Sequence, residues 1–257
     1  MKIAVAYKWA PNPQDAAVGA DGSVDWSRAK PAVSEYDPVA VEVGRRLADA
    51  TGAELVGLSV GGPDVASPMA KKAALSRGLD SAVVVADDAL AGAGTTPTGR
   101  ALAALVQRLG DVDLVLTGDS SVDAGAQMVP AVLAGALGWP ALTDVVAVSG
   151  TAGDLTVERA HAGGSQVLHV TGPVVLAVAA DAVVPRVPGM KDILSAGKKP
   201  TEEVPLADLA GWQTAPVEVV ATAGPELKVR KGQVIDGADP AAAVTALVAA
   251  LRADGVL

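Results

Sequence analysis

The chain has 257 residues, half of them apolar, a formal charge of −9, an aromatic share of 2% with no Phe, and no Cys. The length fits one α/β domain with an appendage or two small domains, and a core of Val, Leu, Ala and Ile suits parallel strands buried on both faces. The acidic balance excludes affinity built on basic patches, as for nucleic acid or anionic membranes; the lack of Cys excludes disulfides, Cys-ligated zinc, iron–sulfur clusters and thiol nucleophiles.

Ile3 to Tyr7 reads as a first strand. Lys8 interrupts this short apolar stretch, so no secretory signal is expected, and no run reaches the length of a membrane span. A cytoplasmic protein is expected. Asp37 to Asp49 predicts a helix whose Val39, Val43 and Leu47 share one buried face. Glu54 to Val60 predicts a second strand, ended by Gly61, Gly62 and Pro63, with Asp64 as N-cap of a helix reaching Ser76. Ala82 to Val85 is a third strand, Thr98 to Leu109 a helix, Val112 to Thr117 a fourth strand and Ala126 to Leu137 a further helix. This alternation predicts an α/β fold, a doubly wound, mostly parallel sheet of Rossmann-like type.

After Pro140 the rhythm changes. Val145 to Val148, Leu155 to Arg159, Gln166 to Val170 and Val174 to Val178 are strand-like, and an antiparallel edge or cover on the main sheet is expected. Val183 to Pro205 has little periodicity, and Leu206 to Gly237 reads as mixed and loop-like. Ala241 to Arg252 is a last Ala- and Leu-rich helix, a candidate arm for a partner. The expected division is a nucleotide-binding domain over 1–205 and a linker with helical arm over 206–257.

Three loops follow strand-type runs and share the carboxyl edge where parallel sheets bind ligands. The first follows Ala6 and Tyr7, the second is Val60 to Asp64, and the third runs from Gly118 to Gln127. Gly61 and Gly62 permit close backbone approach; Gly118, Ser120, Ser121 and Gly125 offer amides and hydroxyls, and the following helix would aim N–H groups at a phosphate. Asp119 and Asp123 read either as an acid pair or, more plainly, as a helix N-cap and a loop-ordering carboxylate. His161 and His169 have no nucleophile motif nearby, no Gly-Lys-Ser/Thr occurs, and neither catalytic residues nor a metal site are expected. Ser59 to Asp64 has a weak similarity to the Ser-Gly-Gly-x-Asp-Ser loop of adenylating enzymes, but it follows the second strand rather than the first.

The stretch from Asp113 through Gly118-Asp119-Ser120-Ser121-Val122-Asp123 to Leu137-Gly138-Trp139-Pro140 resembles the nucleotide loop and helix of electron transfer flavoprotein beta subunits. Ile3 to Lys8 with Pro11, Tyr36-Asp37 followed by Ala40-Val41-Glu42, Val60 to Pro63, and Ala73 to Asp80 resemble further family segments in the same order. Pro185-Arg186 through Met190 and Ile193 to Lys198-Lys199 is similar to its partner-recognition loop. Ser34-Glu35 stand where the family commonly has Asn-Pro.

The resemblance implies a non-enzymatic electron carrier subunit in a heterodimer, with AMP, or in bifurcating members a second FAD, in this chain and FAD shared with the alpha subunit. The implied nucleotide contacts are Ala6, Ser34, Glu35, Tyr36, Asp37, Gly61, Gly118, Asp119, Ser120, Ser121, Val122, Asp123, Ala124, Gly125, Ala126, Gln127, Met128 and Val129. Pro185, Arg186, Met190, Ile193, Lys198 and Lys199 are the implied docking residues for flavin-dependent dehydrogenases, with Met190 at the tip and Ile193 and Leu194 beneath it. Electrons would leave to a quinone reductase or similar acceptor. The rival reading from another class is a stand-alone adenine-nucleotide-binding stress-type protein.

Overall fold

A computed structural model describes residues 2–215, 217, 220 and 229–257. The sheet begins with β1 (Lys2–Ala6). After it come β2 (Trp9–Pro11), β3 (Ala17–Val18), β4 (Val24–Asp25) and β5 (Pro31–Val33), which pair as two short antiparallel ribbons that the periodicity did not reveal. Next are α1 (Asp37–Thr51), β6 (Glu54–Gly61), α2 (Pro68–Leu75), β7 (Ser81–Ala86), α3 (Thr95–Leu109), β8 (Val112–Gly118) and α4 (Val129–Leu137). The chain continues through β9 (Ala141–Thr151), β10 (Gly153–His161), β11 (Gly164–Gly172) and β12 (Val174–Val178). It ends with α5 (Met190–Ala196), β13 (Thr201–Glu203) and α6 (Pro240–Ala253).

Nine strands form one sheet in the order β11-β10-β9-β12-β8-β1-β6-β7-β13. From β12 to β13 all neighbours are parallel, and β9 joins β12 in parallel, whereas β9, β10 and β11 pair antiparallel. The doubly wound sheet and its antiparallel extension are therefore present. Val174 to Val178 does not belong to the extension: this unbroken apolar run is buried throughout and lies between β8 and β9, as a strand covered on both faces must.

Side chains alternate between two cores. Ile3, Val5, Leu55, Leu114 and Leu116 face α1 and α2, while Ala4, Val56, Leu58 and Val115 face α3 and α4. Leu206 and Leu209 join the second core, so buried packing continues to Leu209. By contrast, α6 buries no residue, leaving Val244 and Leu247 exposed. Among the described residues no helix is long and apolar enough to cross a membrane.

Several element boundaries differ from expectation, α3 starting at Thr95 and β9 to β11 running longer than their apolar cores among them, and others have an evident local cause. Asp64 does not start a helix reaching Ser76. A 3-10 turn covers Pro63–Ala66, and Ser67, whose hydroxyl accepts the Ala70 N–H at 3.2 Å, caps α2, because Pro68 forces its predecessor into extended backbone. α4 begins at Val129 rather than Ala126, since Gly125 and Gln127 take φ values of 59° and 54°. Within the aperiodic 183–205 stretch, the polar strand β13 adds to β7 at the sheet edge through Thr201, Glu202 and Glu203.

Candidate functional site

The five central parallel strands run β12-β8-β1-β6-β7. From β1 the chain first winds through β6 to β7, then returns to β8 on the other side. The switch point lies between β1 and β8, where the outgoing loops diverge and leave a crevice. The three loops singled out from the sequence follow β1, β6 and β8, so they occupy neighbouring positions along this edge.

A buried carboxylate closes the base of the crevice. Asp37 stands at the first position of α1, is 5% exposed, and accepts the Lys8 backbone N–H on Oδ2 at 2.7 Å. It also accepts the Gly118 N–H, so one side chain joins the ends of β1 and β8. Burial pushes its carboxyl up to about 7, against the opposing pull of these N–H donors and the Lys8 charge. Arg77, half-buried after α2, also lies within Coulomb range of Asp37. Gly118 must lack a side chain: a Cβ there would lie 2.8 Å from Asp37 Oδ1 and 2.9 Å from Tyr36 Cβ.

The loop after β8 is held over this base. Lys8 Nζ lies 2.7 and 2.6 Å from the two carboxylate oxygens of Asp123. Asp123 is held below the usual carboxylate range by its hydrogen bonds and the Lys8 charge, which outweigh partial burial. The Val122 N–H reaches the hydroxyl of buried Ser34 at 3.4 Å, and the Gly125 N–H bonds to the Ser121 carbonyl at 3.0 Å. Asp123 is thus a loop-ordering carboxylate, in line with its plainer reading. The expected N-cap is not an Asp: Met128 precedes α4 and provides no side-chain cap.

These features form a donor set suited to an anion. With Pro130 at the second position of α4, the N–H groups of Val129 and Ala131 head the helix without a side-chain acceptor. Residues 124–128 are exposed beside them. Asp119 Oδ1 is buried with no hydrogen-bond partner among the described residues, and burial raises its carboxyl. Asp119 belongs to the β12 side of the loop, where Ala180, Asp144 and Asp181 are its neighbours, so the anion-binding character rests on the head of α4 and the exposed 124–128 backbone.

The structure brings Ala6, Ser34, Tyr36, Asp37 and 118–129 to the β1/β8 crevice. Glu35 is exposed in the turn before α1. Gly61 ends β6, on the far side of β1, and has a packing reason of its own: a Cβ would meet Val65 Cγ1 at 2.8 Å. Lys8 was not among the expected contacts, yet it holds the loop; a lone Lys after a strand carries no local signal of an ion pair 115 residues away. A cleft of about 420 Å³ lined by Ala86, Asp87, Glu203, Val204 and Leu206 lies instead at the β7/β13 edge. Its acidic lining suits an anion poorly, in contrast to the donor set at the β1/β8 edge.

The second segment singled out from the sequence, the 183–199 loop, exposes Val184 at 86%, Val187 at 90%, Met190 at 73% and Leu194 at 64%. Met190 begins α5, with Ile193 half-buried; Leu194 lies exposed alongside rather than beneath it. Pro185 is half-buried and Lys198 exposed. Arg186 and Lys199 turn inward, to Glu42 and to the carbonyls of Leu75 and Leu79.

Comparison with protein families finds that a model described as the electron transfer flavoprotein domain matches residues 23–209. The matched region holds every strand of the main sheet except β1, together with the β8 loop and the 183–199 loop.

Proposed function

Because the chain belongs to the electron transfer flavoprotein family, we propose that it is the beta subunit of a heterodimeric electron carrier. In this reading AMP lies at the β1/β8 crevice, the body supports the FAD of an alpha subunit, and the 183–199 loop docks flavin-dependent dehydrogenases. Electrons leave to a quinone reductase or similar acceptor, in the cytoplasm. The observation that carries the docking role is the row of four apolar side chains, each more than half exposed, on one short loop. Single exposed apolar residues are ordinary, but four on one loop of this length are a concentration that suits an interaction surface.

The alpha-subunit FAD would supply the redox chemistry; the residues of this chain bind, orient and dock. Asp37 fixes the spacing of β1 and β8. Lys8 and Asp123 hold the phosphate loop, and the head of α4 with Ser120 and Ser121 offers donors to the phosphate. Nothing in this set requires a proton to be moved, which suits a structural nucleotide. α6, which buries nothing on its own body, is the proposed arm toward the alpha subunit.

The test is the small-molecule content of the purified heterodimer after denaturation. One FAD and one AMP support the proposal. Two flavins would replace it with a bifurcating carrier that holds its second FAD here, and a chain that purifies alone with adenine nucleotide would favour a stress-type binding protein.

A further inference from the structure

The docking loop has an unusual mechanical position. It presents apolar side chains to solvent, although Pro185, Pro188 and Gly189 give its first half no helical structure of its own. A loop of this composition gains by collapsing its apolar side chains onto nearby surface, and a loop that must be ordered on binding costs affinity. Something must hold it open.

Two charged side chains lie at its ends. Near the beginning, Arg186 reaches back to α1, where its Nε donates to Glu42 Oε2 at 2.6 Å and a terminal nitrogen to Oε1 at 3.4 Å. The Glu42 side chain is 7% exposed. Arg46 Nε already bonds Glu42 Oε1 at 3.0 Å from the next helical turn, so Glu42 is not left without a partner if Arg186 is removed. Neutralising Glu42 therefore does not by itself explain Arg186. At the far end, Lys199 Nζ donates to the carbonyls of Leu75, at 3.0 Å, and Leu79. These belong to the end of α2 and the turn beyond it, where a helix favours a cation. The Pro200 carbonyl then accepts the Ala82 N–H at 3.1 Å as β13 begins. Between the anchors, Asp192 caps the Gly189 N–H at 2.9 Å, and Ala196, 1% exposed, is the one point at which α5 enters the core.

We infer that Arg186, held by Glu42, and Lys199 are positioning residues that fix the 183–199 loop in the conformation presenting Val187, Met190 and Leu194 to a partner. The inference rests on the docking function proposed above. Both residues look like cationic rim contacts in the sequence, and both act inward. Lys191 and Lys198 are exposed without such a tie, and Arg186, whose side chain is 44% exposed, keeps part of its surface open to a partner while it is bonded to Glu42.

The experiment uses the co-expressed heterodimer carrying Arg186→Met, Arg186→Lys, Lys199→Met or, as reference, Met190→Ala. Amide hydrogen exchange over 187–197 reports loop order. Steady-state kinetics are measured with the reduced flavin dehydrogenase that the wild-type heterodimer reoxidises fastest in a panel. R186M is expected to speed exchange across the loop and raise KM roughly tenfold, with kcat unchanged, because an ordering cost moves from folding to binding. R186K should recover part of both effects, and K199M should act like R186M should the latter not assemble. Unchanged exchange in R186M and K199M overturns the inference whatever the kinetics. Faster exchange with unchanged KM, while M190A raises KM, shows docking without positioning and also overturns it. Unchanged KM in both M190A and R186M means that the docking function itself is wrong.

Discussion

Replacing Asp37 by Asn tests the base of the site directly. The carboxyl is 5% exposed, and its value in the folded chain is about 7 against an ordinary 3.8. A carboxyl raised in this way holds its proton more tightly in the folded state. Its contribution to stability is full below about pH 4 and is lost as the pH rises through about 7, at roughly 1.4 kcal/mol per pH unit. The introduced amide is neutral at every pH and similar in shape to the protonated acid. Between about pH 5 and about pH 7 the Asp37→Asn variant should therefore gain on wild type by about 2 kcal/mol, the slope halving as the pH reaches about 7 and levelling off by about pH 8. Any fixed cost of turning the amide toward the Lys8 or Gly118 N–H cancels in this difference. Urea unfolding of both proteins over that range measures it. Parallel curves for the two proteins would mean that Asp37 stays ionised, with the Lys8 and Gly118 N–H donors and the Lys8 and Arg77 charges outweighing burial, and the reasoning would fail.

Gly118→Ala puts a Cβ against Asp37 Oδ1 and the Tyr36 backbone, and should destabilise the chain by about 1–3 kcal/mol in thermal unfolding. Ala126→Glu places a carboxylate on an exposed residue before α4. It favours the helix dipole, so unfolding should not worsen, yet it should lower co-purifying nucleotide about tenfold or more through repulsion of the phosphate; undiminished nucleotide would place the phosphate elsewhere. Truncation after Asp236 removes a helix that buries nothing on its own body. Far-UV circular dichroism should keep the sheet signal while heterodimer yield on size exclusion falls, and an unfolded truncated chain would argue that the arm stabilises this subunit instead.

Much of the scaffold was legible because it is written in local pattern. The largely apolar runs of β1, β6 and β8 declare strands covered on both faces, and Val39, Val43 and Leu47 declare a helix lying on them, whereas β12 showed as a strand but not where in the sheet it lies. Gly- and Ser-rich ends marked the loops at the ligand edge, since those residue types leave backbone donors accessible. Where a helix starts was less legible. The starts of α2 and α4 depend on Pro68, Pro130 and a left-handed Gln127, and the same composition admits several boundaries.

What holds the site and the loop together was settled by tertiary structure alone. Residue pattern reports burial at spacings of two to four, whereas Asp37 meets Lys8 across 29 positions, Lys8 meets Asp123 across 115 and Glu42 meets Arg186 across 144. A sequence shows a charged side chain but not which way it turns. Lys8, Arg186 and Lys199 look like solvated cations in the chain, and become internal ties only because the crossover order sets β1 beside β8 and carries the 183–199 loop back over α1 and α2.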